Sequence, residues 1–363
     1  MSDLYIGFMS GTSCDGVDAS LVQTDGKDFF HSIDNIHIPY PLDFRTKLQE
    51  LCTYVIPFFE IETRLTEFHS TAATRLLEKT QYTSKDIKAL GFHGQTILHD
   101  PAKHATWQIG NPHLLAQATG IDVIHDFRRR DLSLGGQGAP LVPIFHKLIV
   151  NGHQYPVAII NIGGVANITY INQEKLIAFD TGPGNALIND AMLEYFGQDF
   201  DDEGQIAATG KVDESVVNKF LNAEYFKLPY PKSLDRNSFR FMLDALKQHL
   251  PKDIVATLTY ISAAAIVKSI AILPDFPQKI LLCGGGSKNK QLVEWVRTKL
   301  LTQGILCKVE DISSIKGFDA DYVESQAFAY LAARFFKNLP SAFPSTTSAS
   351  RESICGCLVR ASK

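Results

Sequence analysis

Apolar runs and turn-forming residues alternate along the chain in a pattern that predicts strands and helices in succession. Two β-prone runs, 4–8 and 17–23, flank a stretch rich in glycine and hydroxyl residues, which predicts strand, loop and strand. The same pattern returns at 156–170, where Gly163-Gly164 separates two further β-prone runs. We therefore expect two similar domains, each opening with a hairpin.

Elsewhere the apolar spacing changes between that of helices and that of strands. Segments 60–79 and 257–273 have helical spacing, whereas 87–92 and 279–283 read as strands, the first ending at His93-Gly94. The Pro-, Ser- and Thr-rich tail 339–353 predicts a loop, followed by a short strand or helix at 354–359. This alternation indicates an α/β protein whose mixed sheets are covered by helices.

Composition and charge narrow the class of protein. The 363 residues are 45% hydrophobic and 20% charged, which excludes a disordered chain and suffices for two cores. A net charge of -4 gives no basic field, so we expect no nucleic-acid partner and no membrane partner. The N-terminus lacks a basic leader, and we expect no apolar run to approach the roughly 20 residues that span a bilayer. A cytoplasmic protein is the expectation.

The first loop, 10–18, carries the groups that bind phosphate. Its glycines allow close approach of an anion to the backbone, and its hydroxyls and carboxylates suit phosphate and Mg²⁺. These residues are Ser10, Gly11, Thr12, Ser13, Asp15, Gly16 and Asp18. The loop has neither the Gly-Lys-Ser/Thr of a Walker loop nor a GxGxxG fingerprint. An ordinary hairpin turn is the alternative, but the row of hydroxyls favours phosphate.

Two further glycine-rich turns follow β-prone runs. Asp180 stands at the end of such a run, before Gly182-Pro183-Gly184, where a catalytic carboxylate is common in α/β folds. A turn or helix-capping aspartate is the alternative. The run Gly284-Gly285-Gly286 ends another strand and offers bare backbone for an adenosine, or forms only a tight turn.

Polar groups suited to a sugar occur in three other places. Arg128-Arg129-Arg130 supplies guanidiniums for a carboxylate or phosphate, unless they form a solvated charge run. His93, Gln95 and Thr96 place hydrogen-bonding groups after a strand, and the spacing of His93 and His99 does not predict a metal site. Glu324 lies near the start of a predicted helix at 322–332. Its carboxylate either takes part in a reaction or interacts favourably with the helix dipole.

Together these motifs resemble the anhydro-N-acetylmuramic acid kinase family in both order and spacing, from about residue 5 to about 360. The matching segments are GFMSGTSCDGVD (7–18), FHGQT (92–96), DFR (126–128), NIGGVAN (161–167), DTGPGN (180–185), GGG (284–286) and ESQAFA (324–329). The resemblance implies the superfold of actin, sugar kinases and heat-shock chaperone ATPases, with ATP in a cleft between two related α/β domains. We place these domains at 1–130 with 340–363, and at 131–339.

The resemblance also implies a reaction: 1,6-anhydro-N-acetylmuramic acid, ATP and water give N-acetylmuramic acid 6-phosphate and ADP, in peptidoglycan recycling. By position, 11–18, which includes Cys14 and Val17, resembles the ATP phosphate loop. Asp180 resembles the general base, Glu324 an acid supporting the water or sugar, and Arg128 the residue facing the lactyl carboxylate. His93, Gln95 and Thr96 would line the sugar pocket. We assign the remaining nucleotide contacts to Gly163, Gly164, Gly284, Gly285, Gly286 and Asn289.

Some points stay open at this stage. The family usually has Thr-Gly-Ala where this chain has Thr347-Ser348-Ala349, and a serine fits poorly if that turn needs a positive φ. The sequence does not choose between Asp15 and Asp18 as the group near Mg²⁺, and a homodimer is compatible with the resemblance. There are two alternative functions: a kinase of another acidic sugar, and a non-catalytic actin-like nucleotide-dependent assembly protein.

Overall fold

The computed structural model describes residues 2–11, 13–51, 58–152, 156–234 and 239–362. The chain forms two compact units, Met1–Ile149 with Tyr322–Lys363, called the first unit, and Val150–Asp321, called the second. We expected 131–149 and 322–339 in the second domain, but the structure places both segments in the first unit. The helix Val323–Phe336 packs on the sheet of the first unit, which explains the second of these differences.

The described residues form the following strands and helices. The strands are β1 Asp3–Ser10, β2 Gly16–Thr24, β3 Phe30–Pro39, β4 Ile87–Asp100, β5 Ala105–Ile109, β6 Val123–His125, β7 Val157–Ile162, β8 Val165–Ile171, β9 Leu176–Pro183, β10 Lys279–Cys283, β11 Lys308–Asp311 and β12 Cys357–Val359. The α-helices are α1 Leu42–Leu51, α2 Phe58–Glu78, α3 Pro112–Thr119, α4 Arg129–Ser133, α5 Pro143–Ile149, α6 Ala186–Phe196, α7 Gln205–Thr209, α8 Glu214–Leu221, α9 Phe241–Leu246, α10 Pro251–Ile270, α11 Lys290–Thr302, α12 Val323–Phe336 and α13 Pro344–Thr347.

The sheets of the two units share a set of five strands with the same topology, to which the first sheet adds β5 and β12. The first sheet has the order β12-β6-β4-β1-β2-β3, with β5 paired to β4, and the second has β11-β10-β7-β8-β9. In each, three consecutive strands form an antiparallel meander, β1-β2-β3 or β7-β8-β9. Two parallel strands, β4 and β6 or β10 and β11, extend the sheet on the side of the first strand of the meander. The expectation of two related α/β domains that open with hairpins is confirmed.

Several elements differ in extent from their sequence prediction. Strand β4 continues through His93 and Gly94 to Asp100, because its second half pairs with β5. The tail contains the short helix α13 within the expected loop, and its last element is a strand, β12, which pairs with β6. The pairing of β12 with β6 joins segments distant in the chain, which local periodicity does not reveal.

Helix α10 is the central helix of the second unit. It is long and apolar enough to cross a membrane by length and composition, so the expectation that no apolar run approaches 20 residues is wrong. However, 83% of its most apolar window is buried inside the protein, as in the core helix of a globular domain. Its small residues, including Ala265, allow it to pack against Gly182 of β9.

Helix α12 packs directly on the backbone of the first sheet. A Cβ atom on Gly7 of β1 would overlap the carbonyl oxygen of Ser325, and one on Gly91 of β4 would overlap that of Phe328. The hydroxyls of Ser20 and Ser325 also share a buried hydrogen bond. Helix α12 therefore belongs to the first unit, although about 170 residues of the second unit precede it in the chain.

The tail adopts a strained turn after α13. Ser348 has φ 65° and ψ 11°, the left-handed conformation in which glycine is favoured. Its N–H donates to the carbonyl of Pro344 at 3.0 Å, which ends the helix. The turn thus has the positive φ that a glycine adopts more readily than a serine.

We predict that Ser348→Gly raises the free energy of unfolding of the first unit by about 1 kcal/mol, because it removes the contact between Cβ and the backbone in this conformation. Ser350→Gly is the matched control: Ser350 is likewise exposed but does not have a positive φ. Urea denaturation should show stabilisation by the first change alone, and equal effects of both would contradict the interpretation.

Candidate active site

The loop between β1 and β2 connects two buried strands in the first unit. The N–H of Cys14, which has φ 54°, donates to the carbonyl of Gly11 at 3.1 Å and closes a turn. The exposed Ser13 donates its hydroxyl to Asp15 Oδ1 at 2.7 Å. Thr12 lies outside the described residues. The side chains of Cys14 and Val17 are in the core, so these two residues would contact a nucleotide through their backbone.

Three buried polar side chains hold the start of this loop. Ser10 donates to Gln95 Oε1 at 2.6 Å, and Gln95 Nε2 donates to the carbonyl of Gly11 at 3.1 Å. Tyr40 shares a hydrogen bond of 2.8 Å with Ser10. Gln95 is fully buried, so its contacts serve the loop, a role that the sequence did not indicate. Thr96 Oγ1, in the same strand, accepts a hydrogen bond from Gln108 at 3.2 Å.

The carboxylates near this loop do not form a multidentate metal site by themselves. Asp18 Oδ1 lies 2.8 Å from His37 Nδ1, and Asp15 is exposed beside Ser13. Within the described ranges, no three His, Cys, Asp or Glu side chains are grouped so that they could hold a metal ion. The residues fit a magnesium ion held largely by phosphate oxygens and water, which is usual at nucleotide sites.

The side chains of Arg128 and His93 are hydrogen-bonded to each other in the first unit. Arg128 Nε and Nη2 lie 3.0 and 2.8 Å from His93 Nε2, and Arg128 Nη1 donates to the carbonyl of Gly138 at 2.7 Å. Because a guanidinium only donates, His93 Nε2 accepts, and its Nδ1–H donates to the carbonyl of Gly94 at 2.7 Å. Burial and, secondly, the charge of Arg128 hold the pKa of His93 well below its usual value. His93 is therefore a neutral imidazole that fixes the guanidinium plane.

The two arginines beside Arg128 are in different surroundings. Arg129 is exposed and lies 3.5 Å from Asp126, and Arg130 is exposed on α4. A cavity of about 40 Å³ adjoins His93 and is also lined by Gln108, Asp126 and Arg129. Arg128 differs from both because its guanidinium is hydrogen-bonded to His93, a predicted sugar-pocket residue.

Asp180 lies within β9, rather than at the end of a strand as we expected. Its register partner is Asn167, whereas Gly182 pairs with the adjacent Ala166, so the strand has a bulge at Thr181. Bulges change the direction of side chains and are common beside active sites. The backbone N–H of Leu234 donates to Asp180 Oδ2 at 2.7 Å, and a hydrogen-bond donor stabilises the ionised form of a carboxylate.

The segment 225–234, which the sequence analysis did not single out, surrounds Asp180. The hydroxyl of Tyr225 donates to the carbonyl of Asp180 at 2.5 Å, and the N–H of Asp180 donates to the carbonyl of Lys232 at 2.9 Å. The buried ammonium of Lys232 donates to the carbonyls of Tyr225 and Leu228, and burial lowers its pKa. Burial, followed by the charge of Asp180, raises the pKa of Tyr225. The signal available in the sequence was two lysines, Lys227 and Lys232, in an aromatic segment, which is weak.

The glycine turns of the second unit have distinct structural roles. The carbonyls of Gly163 and Gly164 accept hydrogen bonds from residues 184–186 at the start of α6. A Cβ on Gly284 would overlap Asn161, and one on Gly286 would overlap Ile162, so both positions need glycine for packing. Gly285 faces more open space.

Asn289, which we assigned to the nucleotide, caps a helix in the structure. Its buried side chain accepts the N–H of Leu292 at 2.9 Å at the beginning of α11. Glu324 lies half-buried in the first turn of α12 in the first unit. Each unit thus assembles part of the predicted site. The first contains the loop, His93, Arg128 and Glu324, and the second contains Asp180 with the glycine turns.

Comparisons with known proteins identify what the chain resembles. The family model of anhydro-N-acetylmuramic acid kinase matches residues 3–361. The chain is 41% identical to the anhydro-N-acetylmuramic acid kinase of Nitrobacter winogradskyi and 42% identical to that of Rhodopseudomonas palustris strain BisB18. Each alignment covers 94% of this chain and 95% of the relative.

Solved structures resemble the chain more distantly. The (R)-2-hydroxyglutaryl-CoA dehydratase component A of Acidaminococcus fermentans has a TM-score of 0.48 and 11% identity, covering 92% of this chain and 98% of its own. A ROK family glucokinase from Streptomyces griseus, in complex with glucose and AMPPNP, has a TM-score of 0.42 and 11% identity, covering 90% and 98%. Because both TM-scores are below 0.5, the family assignment rests on the family model and on the two relatives, not on these structures.

We predict that the ring of His93 stays neutral through the pH range around 6.5 in which an ordinary histidine titrates. Its folded-state pKa lies below the ordinary value, so protonation must occur at lower pH than in the unfolded chain. NMR of ring-labelled histidine checks this. In Arg128→Ala the His93 pKa should rise, yet remain below the ordinary value because burial is the larger cause. A His93 ring that titrates near pH 6.5 in the unaltered protein would contradict the assigned hydrogen bonds.

Proposed function

The chain belongs to the anhydro-N-acetylmuramic acid kinase family, and on that premise we propose that it cleaves and phosphorylates 1,6-anhydro-N-acetylmuramic acid. ATP supplies the phosphoryl group, and water opens the anhydro ring to give N-acetylmuramic acid 6-phosphate and ADP. The observation that carries the proposal is the family match over 3–361, with about 40% identity to relatives of nearly equal length. The activity belongs to peptidoglycan recycling, and we propose a cytoplasmic location.

Asp180 is the general base of this proposal. The hydrogen bond from Leu234 keeps its carboxylate oriented and favours its ionised form, which is the state that accepts a proton. Asp180 removes the proton of a water molecule as the water oxygen bonds to C1 of the sugar. The bond between C1 and O6 breaks, and O6 takes the γ-phosphoryl group as ADP leaves. Glu324 supports the water or the sugar.

The loop 11–18 binds the phosphates of ATP. Backbone N–H groups around Gly11 supply donors there, and Ser10 and Gln95 hold the loop in place. Mg²⁺, bound through phosphate oxygens and water near Asp15 or Asp18, would neutralise charge on the transferred group. We assign the nucleoside to the second unit beside Gly285, whose backbone is more open than that of its two glycine neighbours.

Arg128 recognises the lactyl carboxylate of the sugar. His93 and Gly138 fix its guanidinium, and a fixed guanidinium is suited to bind a carboxylate with two parallel hydrogen bonds. An acidic sugar is therefore favoured over a neutral one. The net charge of -4 supports the absence of nucleic-acid and membrane partners, and a homodimer stays a prediction.

One assay tests the function directly. The protein is incubated with ATP, Mg²⁺ and 1,6-anhydro-N-acetylmuramic acid, and the sugar product is identified by mass spectrometry. We expect a gain of one phosphoryl group and one water. Phosphorylation of a different acidic sugar would favour that substrate, and ADP release independent of any sugar would favour a nucleotide-dependent assembly protein.

We predict that Arg128→Ala raises the KM for the sugar about 10- to 100-fold and changes the KM for ATP little, because a hydrogen bond to a charged group is lost. Arg130→Ala is the matched control, since Arg130 is an exposed arginine of the same run and is not among the residues that line the cavity beside His93. Steady-state kinetics with each substrate varied separately give both constants. Equal losses for the two substrates would indicate a structural or phosphate-binding role for Arg128.

We predict that Asp180→Asn binds both substrates but turns over at least ~10²-fold more slowly, because an amide does not accept the proton of water. In ¹⁸O-water the unaltered enzyme should place the label on the anomeric hydroxyl, while the phosphate ester keeps the sugar's own O6. Mass spectrometry of product fragments locates the label. Label in the phosphate would refute the coupling of ring opening to phosphoryl transfer, and normal turnover by the variant would leave Glu324 as the base to test.

A further inference from the structure

A fully buried carboxylate links the C-terminal tail to the loop that holds Arg128. Asp131 of α4 is 0% exposed. Its Oδ1 accepts the hydroxyl of Thr347 at 2.7 Å, and its Oδ2 accepts the N–H of Gly138 at 2.7 Å. The carbonyl of the same Gly138 accepts Arg128 Nη1 at 2.7 Å. A continuous chain of hydrogen bonds therefore runs from the tail to the guanidinium.

The loop 135–138 is fixed on both sides by these contacts. The N–H of Gln137 donates to the carbonyl of Thr347 at 2.6 Å, so α13 binds the loop through its main chain and binds Asp131 through the Thr347 side chain. A Cβ on Gly136 would overlap the carboxylate of Asp131, which shows how closely the loop passes over it. Gly138 has φ 69°, a conformation that turns its carbonyl toward Arg128 and that few other residues adopt.

The charge of Asp131 is compensated within this network. Burial raises the pKa of its carboxyl, while the hydrogen bonds from Thr347 and Gly138 and the positive charge of Arg128 oppose that rise. A buried carboxylate that loses one hydrogen-bond donor is left partly unsatisfied, and its surroundings then rearrange. The loop that carries the Gly138 carbonyl has no regular secondary structure of its own, so the change reaches that carbonyl through the hydrogen bonds of the loop to Asp131 and Thr347.

We propose that Asp131 and Thr347 are positioning residues for Arg128, so that the C-terminal tail sets the affinity of the enzyme for its acidic sugar. This inference rests on the substrate role proposed above for Arg128. Neither residue touches the sugar. They keep the Gly138 carbonyl in place, and that carbonyl together with His93 determines which way the guanidinium faces.

The test compares two neighbouring threonines of α13. Thr347→Val removes the hydroxyl that reaches Asp131 and keeps the shape of the side chain. Thr346→Val is the matched control, because Thr346 is also buried and its hydroxyl donates to the carbonyl of Phe343 at 3.1 Å, an acceptor that Thr347 shares. We expect Thr347→Val to raise the sugar KM about 5- to 20-fold with little change in the KM for ATP. Thr347→Ser should restore the sugar KM, and Thr346→Val should leave it unchanged.

A double-mutant cycle with Arg128→Ala separates positioning from general loss of structure. If Thr347 acts through Arg128, Thr347→Val has no further effect on the sugar KM once Arg128 is alanine. The inference would be overturned if the fold-increases in the sugar KM of the two single variants multiplied in the double variant. It would also be overturned if Thr347→Val and Thr346→Val raised the sugar KM equally. Neither outcome would affect the role of Arg128. An unchanged sugar KM in Arg128→Ala alone would instead refute the substrate role of Arg128, and the inference with it.

Asp131→Asn provides a second variant if Thr347→Val does not fold. Asparagine can keep an oxygen toward the Gly138 N–H, but it loses the charge that strengthens this bond. We expect a smaller rise in the sugar KM, about 2- to 5-fold, which disappears in the Arg128→Ala background. Persistence of the rise in that background, or no rise in the unaltered background, would contradict the proposal.

Discussion

The contact of helix α12 with the bare backbone of β1 and β4 is the constraint on which the first unit depends. It exists because Gly7 and Gly91 have no side chains where the carbonyls of Ser325 and Phe328 approach the sheet. The same helix has Glu324 in its first turn. The centroid of its Phe328 ring lies 4.7 Å from the centroid of the His93 ring. A side chain at either glycine would move the helix, and with it the support of the neutral histidine that orients Arg128.

Both units hold their candidate functional groups by the same physical means. Arg128 and Asp180 are long or charged side chains whose orientation is set by main-chain partners, the carbonyl of Gly138 and the N–H of Leu234. Main-chain groups are suited to this because they are themselves fixed by the fold. A charge held in this way loses less conformational entropy when it binds a ligand than a charge on a mobile side chain.

The tail shows how an irregular segment can become part of a site. Its composition predicts a loop over 339–353, yet this stretch contains α13 and a left-handed turn at Ser348, and the strand or helix predicted at 354–359 is the strand β12. Thr347, immediately before the strained serine, is fully buried and bonded to Asp131. The strain at Ser348 is therefore located next to the residue through which we propose that the tail acts on Arg128.

The sequence by itself determined the elements and the chemistry, because hydrophobic periodicity and turn residues act over short distances. From them follow the two hairpins, the long helices α2, α10 and α12, and the glycine turns, while the motif resemblance matches Asp180 and Arg128 to a family. Only the tertiary structure decided the boundaries of the units, the structural role of Gln95 and the segment around Asp180. These depend on partners far apart in the chain: Leu234 is 54 positions from Asp180, and Thr347 is 216 positions from Asp131. Hydrogen bonds over such separations form only when the sheets and helices have brought the groups together, so no local pattern encodes them.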